Sequence, residues 1–312
     1  MLAVDQPDEI EKIEKEIEHL LTSLKDFVHG NFVFTEVLGH GSMGVVFLAE
    51  HRMIERPKAV KVLTRRAAES PSLLRRFFDE SVAACACEHD HIVRIEDCGE
   101  LTCEDQRYHY IEMEYLKGQD LGRLCLDMKA NRIDDVDRAV KIIGQTADAL
   151  AAAHAKGVVH RDVKPENIFL TTHAGKADFV KVLDFGVARL TDPLKPGLRT
   201  RTGEVLGTPL YMSPEQAAGH HVDGKSDVWS LGVVLYRILS GTPPFRAPTW
   251  PAGPSSTPFG GAALQPTALP LVRSAVAERA FLEQLTTNAG RFTPSLRLIP
   301  PLDQAAGNRA LE

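Results

Sequence analysis

"VVHRDVKPENIFL", residues 158–170, packs His160, Arg161, Asp162, Lys164 and Asn167 into eight residues, with apolar, strand-like chain on either side. A polar run of this density between apolar ones reads as a loop on a rigid scaffold, the usual place for chemistry. Asp162 and Asn167 stand five apart, so one loop can direct a base and a metal ligand toward a single point. Downstream, "KVLDFG", residues 181–186, ends another strand-like run on Asp184. That residue supplies a second carboxylate for a hard cation such as Mg2+.

Upstream, "LGHGSMGVVFLAEH", residues 38–51, carries Gly39, Gly41 and Gly44 between two strand-like runs. In a dinucleotide-binding unit such glycines would link a strand to a helix. Here both flanks are strands, so the glycines mark a hairpin tip whose backbone N–H groups can approach phosphate closely. Alone, the pattern is equally that of a plain glycine-rich turn. "KAVKVL", residues 58–63, then sets Lys61 in a strand. A buried strand lysine needs an anion, and phosphate together with Glu80 would supply it; a surface lysine is the alternative. Glu80 shares one face of a helix with Leu73, Phe77 and Ala84, and Ser70-Pro71 provides an N-cap and a first-turn proline for that helix. A carboxylate in an apolar stripe costs free energy unless a cation meets it.

Composition narrows the function classes. The 312 residues are 44% hydrophobic and 25% charged, with a net charge of −6, which suits a soluble globular protein rather than a basic nucleic-acid binder. The longest apolar stretch, Leu231 to Leu239, contains Arg237 and is too short to span a membrane. An acidic N-terminus without a signal-peptide core leads to the expectation of a cytoplasmic protein. Cys85, Cys87, Cys98, Cys103 and Cys125 are irregularly spaced. Reduced, mostly buried thiols are expected in preference to disulfides, or to a zinc site with His89 and His91.

Along the chain, Ile10, Ile13, Ile17, Leu20, Leu24 and Phe27 predict an amphipathic helix over residues 9–27. Packing against the following domain is favoured over dimerisation. Five strand-like runs with one interrupting helix follow. After Gly118 the pattern turns helical, with Val136, Val140, Ile143, Ala147, Leu150 and His154 in step and Gly157 where a C-cap glycine belongs. Two unlike lobes, joined near residues 114–118, are the expected architecture.

Taken in order, the glycine hairpin, Ala59-Val60-Lys61, His160-Arg161-Asp162, Asp184-Phe185-Gly186 and Pro214-Glu215 resemble the bacterial type of eukaryotic-like serine/threonine protein kinase, over residues 31–245. The resemblance implies an α+β, two-lobed protein-kinase fold. Its small lobe (31–113) is an antiparallel sheet with one key helix, joined by a hinge (114–118) to a mainly helical large lobe (119–245). Residues 1–30 precede it as an amphipathic helix, and 246–312 follow as an atypical segment.

It also implies ATP and Mg2+ as cofactors, with transfer of the γ-phosphoryl group to Ser/Thr hydroxyls of protein substrates and self-association as a route to trans-autophosphorylation. Gly39, Gly41 and Gly44 would cover the phosphates, with Lys61 paired to Glu80 beneath them. Met113 would be the gatekeeper, and Glu114 and Leu116 would offer backbone groups to adenine. Val46, Ala59 and Phe169 would sandwich the ring, and Asp120 would meet the ribose. Asp162 would be the base, Lys164 would neutralise phosphoryl charge, and Asn167 and Asp184 would hold the metal. Residues 184–215 would form the activation segment, with Thr200 and Thr202 as phosphosites answering Arg161. Thr208 and Lys164 suit the serine/threonine class.

The likeness fades after Phe245. Nine of the 19 prolines fall in residues 246–312, so no long helix is expected across 248–270. "NAGRFTPSLRL" faintly echoes a family segment in which Arg291 would pair with Glu215; a truncated lobe end competes with that reading. A nucleotide-binding pseudokinase or scaffold is the alternative function, and the intact set Lys61, Asp162, Asn167 and Asp184 argues against it.

Overall fold

The computed structural model describes residues 6–41, 43–185, 209–217 and 219–244. The activation-segment residues Thr200, Thr202 and Thr208, the segment 246–312 and Arg291 lie outside the described residues. The chain begins with α1 (Gln6–Ser23), followed by β1 (Val28–His29), β2 (Phe32–Gly41), β3 (Gly44–His51) and β4 (Lys58–Leu63). Next come α2 (Arg65–Glu69), α3 (Pro71–Ala86), β5 (Ile95–Cys103) and β6 (Gln106–Glu114). The second half contains β7 (Gly118–Asp120), α4 (Leu121–Asp127), α5 (Val136–Ala155), β8 (Ile168–His173), β9 (Lys176–Val182), α6 (Pro214–Ala217) and α7 (Gly224–Ser240).

The small lobe is an antiparallel sheet in the order β1-β2-β3-β4-β6-β5. Side chains alternate between its faces, and each face is covered differently. Val45, Phe47, Val60, Val62 and Tyr110 point to one side, where Ile17, Leu20 and Leu24 of α1 complete a buried cluster. Each fully buried Leu or Phe there contributes about 1.5–3 kcal/mol, which explains why this stripe docks instead of remaining in water. α1 ends at Ser23, four residues short of the expected limit, because Asp26 takes up left-handed backbone (φ 59°) and turns the chain into β1. Phe27 still packs on the cluster from that turn.

On the other face, Ile111 and Leu63 pack with Phe77 of α3 and Ala67 of α2. Besides α1 and α3, both expected from the sequence, the lobe therefore holds one further helix, α2. Proline at the start of α3 behaves as the sequence predicts, but the Ser70 side chain makes no capping bond and meets Ser72 Oγ instead.

The large lobe is built around α5 and α7, with Ile142, Ile143, Leu150, Leu231, Val234 and Ile238 in one core. Asp135 caps α5 through the Arg138 N–H, which fixes the helix start. A small sheet, β7-β8-β9, adds Ile168, Leu170, Val180 and Val182 to this core. The lobes are stitched by Val93 N–H to Val182 O (3.0 Å) and Val182 N–H to His91 O (2.8 Å). Of the five cysteines, Cys87, Cys103 and Cys125 are buried and Cys85 and Cys98 exposed, all free. Among the described residues no group of three or more potential ligands could hold a metal by itself, and no helix is long and apolar enough to cross a membrane.

Candidate active site

The glycine hairpin is the turn between β2 and β3, where Gly41 pairs with Gly44 and Gly39 with Val46. The three glycines serve unlike purposes. A Cβ on Gly44 would sit 2.2 Å from Val62 O, so this glycine lets β3 press on β4. A Cβ on Gly39 or Gly41 would meet nothing within 4 Å, leaving open space beside bare backbone at the tip.

The sheet's cleft face follows from register. Val46 stands opposite Lys61, Ala59 opposite Met113, and Lys61 opposite Ile111. Directly opposed residues share a face, so Val46, Ala59, Lys61 and Met113 line one surface. Lys61 Nζ lies 2.9 Å from Asp184 Oδ1 and 3.5 Å from Glu80 Oε2. Burial pushes the Lys61 pKa down, but Asp184 and Glu80 outweigh it and hold the ammonium above its ordinary range. Burial moves Glu80 the other way: despite Lys61 its carboxyl is pushed up to about 7, with Asp184 adding to the rise. Lys61 holds Asp184 below the usual carboxylate range, against the opposing effect of burial.

The 158–170 loop gathers the rest. Asp162 Oδ2 accepts from Lys164 Nζ (2.7 Å) and from Asn167 Nδ2 (3.1 Å), and Asp162 O accepts from Asn167 Nδ2 (2.8 Å). Because the Asn167 amide nitrogen is spent on Asp162, its oxygen is the end left for a cation. Asn167 O also accepts the Leu183 N–H at 2.9 Å, which ties this loop to the residue preceding Asp184. Phe185 is buried, its ring 4.7 Å from that of His160.

Asp227, in the first turn of α7, holds the loop from below. It is fully buried and accepts the N–H groups of His160 (2.8 Å) and Arg161 (2.7 Å), while His154 Nε2 lies 2.7 Å from Oδ2. Arg161 and Asp184 both have left-handed backbone, φ 67° and 46°, and Asp227 offsets the strain of the first. Sequence reading missed Asp227, although it falls in step with Leu231 and Val234 as an acid in an apolar stripe, the same signal that marks Glu80.

The hinge is more committed than the sequence suggests. Glu114 Oε1 accepts from Lys181 Nζ (2.7 Å) and from Arg94 N–H (2.8 Å), and the Glu114 N–H donates to Arg94 O (3.0 Å). Lys181 and Arg94 carried no signal of their own. Asp120 caps α4 through the Arg123 N–H at 2.8 Å and stands opposite Phe169 in the β7–β8 pair. Leu116 is half-buried in the hinge between them. Glu215 accepts from Ser226 Oγ, and its hydrogen bonds hold its carboxyl low although burial opposes them.

Comparison with known proteins agrees with this geometry. The family described as "Protein kinase domain" matches residues 32–251. The chain is 42% identical over 218 residues to serine/threonine-protein kinase Pkn1 of Myxococcus xanthus, covering 70% of this chain and 30% of that protein. It is also 42% identical over 210 residues to PknB of Mycolicibacterium smegmatis, covering 67% and 32%. The chain thus spans about a third of the length of these relatives. The crystal structure of the Mycobacterium tuberculosis PknI kinase domain superposes with a TM-score of 0.57 at 26% identity, covering 85% of this chain and 98% of that one. With the family's span, its relatives and its fold in agreement, this chain belongs to the protein kinase domain family, among the bacterial eukaryotic-like serine/threonine kinases.

Proposed function

We propose that the chain is an ATP-dependent kinase that phosphorylates serine and threonine hydroxyls of proteins. The observation carrying this reading is the joint placement of Lys61, Glu80 and Asp184 on one side, and Asp162, Lys164 and Asn167 on the other, joined by the Leu183–Asn167 backbone bond. A scaffold that only bound nucleotide would not need the second group. ATP would lie under the hairpin, with backbone N–H groups of Gly39 and Gly41 toward the phosphates and Lys61 on the α- and β-phosphates. Val46, Ala59 and Phe169 would enclose adenine beside the gatekeeper Met113, with Glu114 and Leu116 bonding its edge and Asp120 near the ribose.

The donor set suits Mg2+, which takes oxygen ligands and keeps several waters or phosphate oxygens: the Asn167 amide oxygen and the ionised Asp184 carboxylate are its candidates here. The ion would neutralise charge on the β- and γ-phosphates. Asp162 would orient the acceptor hydroxyl and take its proton, and Lys164 would balance charge on the transferred group. Positioning and electrostatics supply most of the catalysis in such a transfer.

Incubation with radiolabelled ATP and Mg2+ tests the reading. Wild type should label itself on serine or threonine, and Asp162→Asn should lose about 10²–10⁴-fold in rate, as for removal of a positioned base. Label on tyrosine alone, or equal labelling by the variant, would overturn it. Thr200 and Thr202 are the proposed activating sites, read from the sequence of their loop and from Arg161 beside the base. A phosphate adds about −1.5 to −2 charges and can order a loop against an arginine. The double alanine variant should lower turnover of an added protein while leaving ATP binding unchanged.

A further inference from the structure

Helix α1 packs on the back of the strands that carry the glycine hairpin. Ile17, Leu20 and Leu24 join a cluster that includes Val45 and Phe47 of β3, the strand leaving the hairpin. At the edge of this apolar contact, half-buried Glu16 accepts the Arg66 N–H through Oε1 at 2.8 Å. Arg66 lies in the first turn of α2. The next amide in that turn, Ala67 N–H, is held by Thr64 Oγ1 at 3.3 Å. Thr64 is itself buried and donates its own N–H to Met43 O, at the hairpin tip, at 2.9 Å. α2 also stands between Lys61 and Glu80 in the chain, following β4 after Thr64 and joined to α3 by Ser70. At five residues it cannot hold itself together, so its place depends on what grips its first turn.

We propose that α1 is a built-in positioning element for nucleotide, with Glu16 as its positioning residue. Glu16 fixes the first turn of α2 and, through Thr64, holds the hairpin tip over the phosphates. This rests on the ATP reading given above. The carboxylate touches no substrate atom; its removal loosens the cover on the phosphates and leaves the groups around Asp162 in place. The effect therefore falls on ATP affinity rather than on the chemical step.

The test uses the full chain with casein as acceptor, measuring ATP KM, kcat and amide hydrogen exchange over residues 64–68. Glu16→Ala should raise the ATP KM about fivefold or more, the lower end of coupling between linked sites, and speed exchange at Arg66. Its kcat should stay within about twofold of wild type. Glu16→Gln keeps an acceptor oxygen and should restore both readouts, and Glu14→Ala, exposed on the same helix, should match wild type. An unchanged KM in Glu16→Ala, or Glu16→Gln as impaired as the alanine variant, would overturn the proposal. Should Glu16→Ala not fold, Thr64→Val removes the Oγ1 that accepts Ala67 N–H. It so unties α2 from Thr64 while keeping the Thr64 N–H bond to Met43, and a wild-type KM there overturns the proposal equally. Lys61→Met separates the two levels. If wild type binds ATP, Lys61→Met weakens that binding and Glu16→Ala leaves KM untouched, only the positioning role falls; if wild type itself binds no ATP, both readings fall.

Discussion

Lys61 sits between two carboxylates that compete for it, and it lies closer to Asp184 than to Glu80. Burial, only partly offset by Lys61 and reinforced by Asp184, pushes the Glu80 carboxyl up to about 7, against 4.5 unfolded. Between those values the native state keeps a proton that the unfolded state has released, so this residue makes stability fall as pH rises across the window. Lys61, shifted upward, contributes fully below 10.5, and Asp184, shifted downward, contributes fully above 3.8, so neither adds slope there. Urea unfolding at several pH values between 4.5 and 7 should therefore show a flatter dependence in Glu80→Gln than in wild type. Identical slopes would mean that Glu80 is not held protonated by burial.

Among the elements, α7 fixes the loop that carries Asp162, using one side chain to accept two backbone N–H groups 66 and 67 residues away. Asp227→Ala leaves both donors buried without an acceptor and frees Arg161 from its left-handed conformation. A loss of about 3–5 kcal/mol in unfolding free energy is expected, measurable by urea denaturation. Asp227 also shows where sequence reading stops. Runs with strong local signals were legible: the hairpin glycines, the proline-led α3 with its lone glutamate, and the stripe and cap of α5. Links between distant residues left no such trace. Nothing in "FVKVL" points Lys181 at Glu114, and nothing near Asp120 says that its side chain caps α4. α1 was legible as an amphipathic helix, but which surface it covers depends on sheet register, which periodicity does not encode.

On the scale of the whole molecule, the candidate nucleotide site takes its parts from both lobes, so a ligand there should stabilise them together. Mg2+ and ATP at about 100 times the dissociation constant should add about 2.7 kcal/mol, seen as a rise in Tm. The hairpin glycines divide this effect. Gly41→Ala meets open space and should melt like wild type without ligand while losing part of the nucleotide-induced rise. Gly44→Ala drives a Cβ into Val62 O and should melt lower even without ligand, by about 2 kcal/mol or more.

The cover that α1 lays on the small sheet also has a consequence in time. His19 finds Tyr108 at a separation of 89 residues, and Ser23 finds Cys103 at 80. At roughly 5–20 residues per second, the ribosome needs on the order of five to twenty seconds to make that stretch. For that interval Ile17, Leu20 and Leu24 are a greasy ridge on a growing chain. The ridge finds only the early strands, with Phe34, Val45, Phe47, Val60 and Val62, and still lacks Leu101, Cys103, Tyr108 and Tyr110.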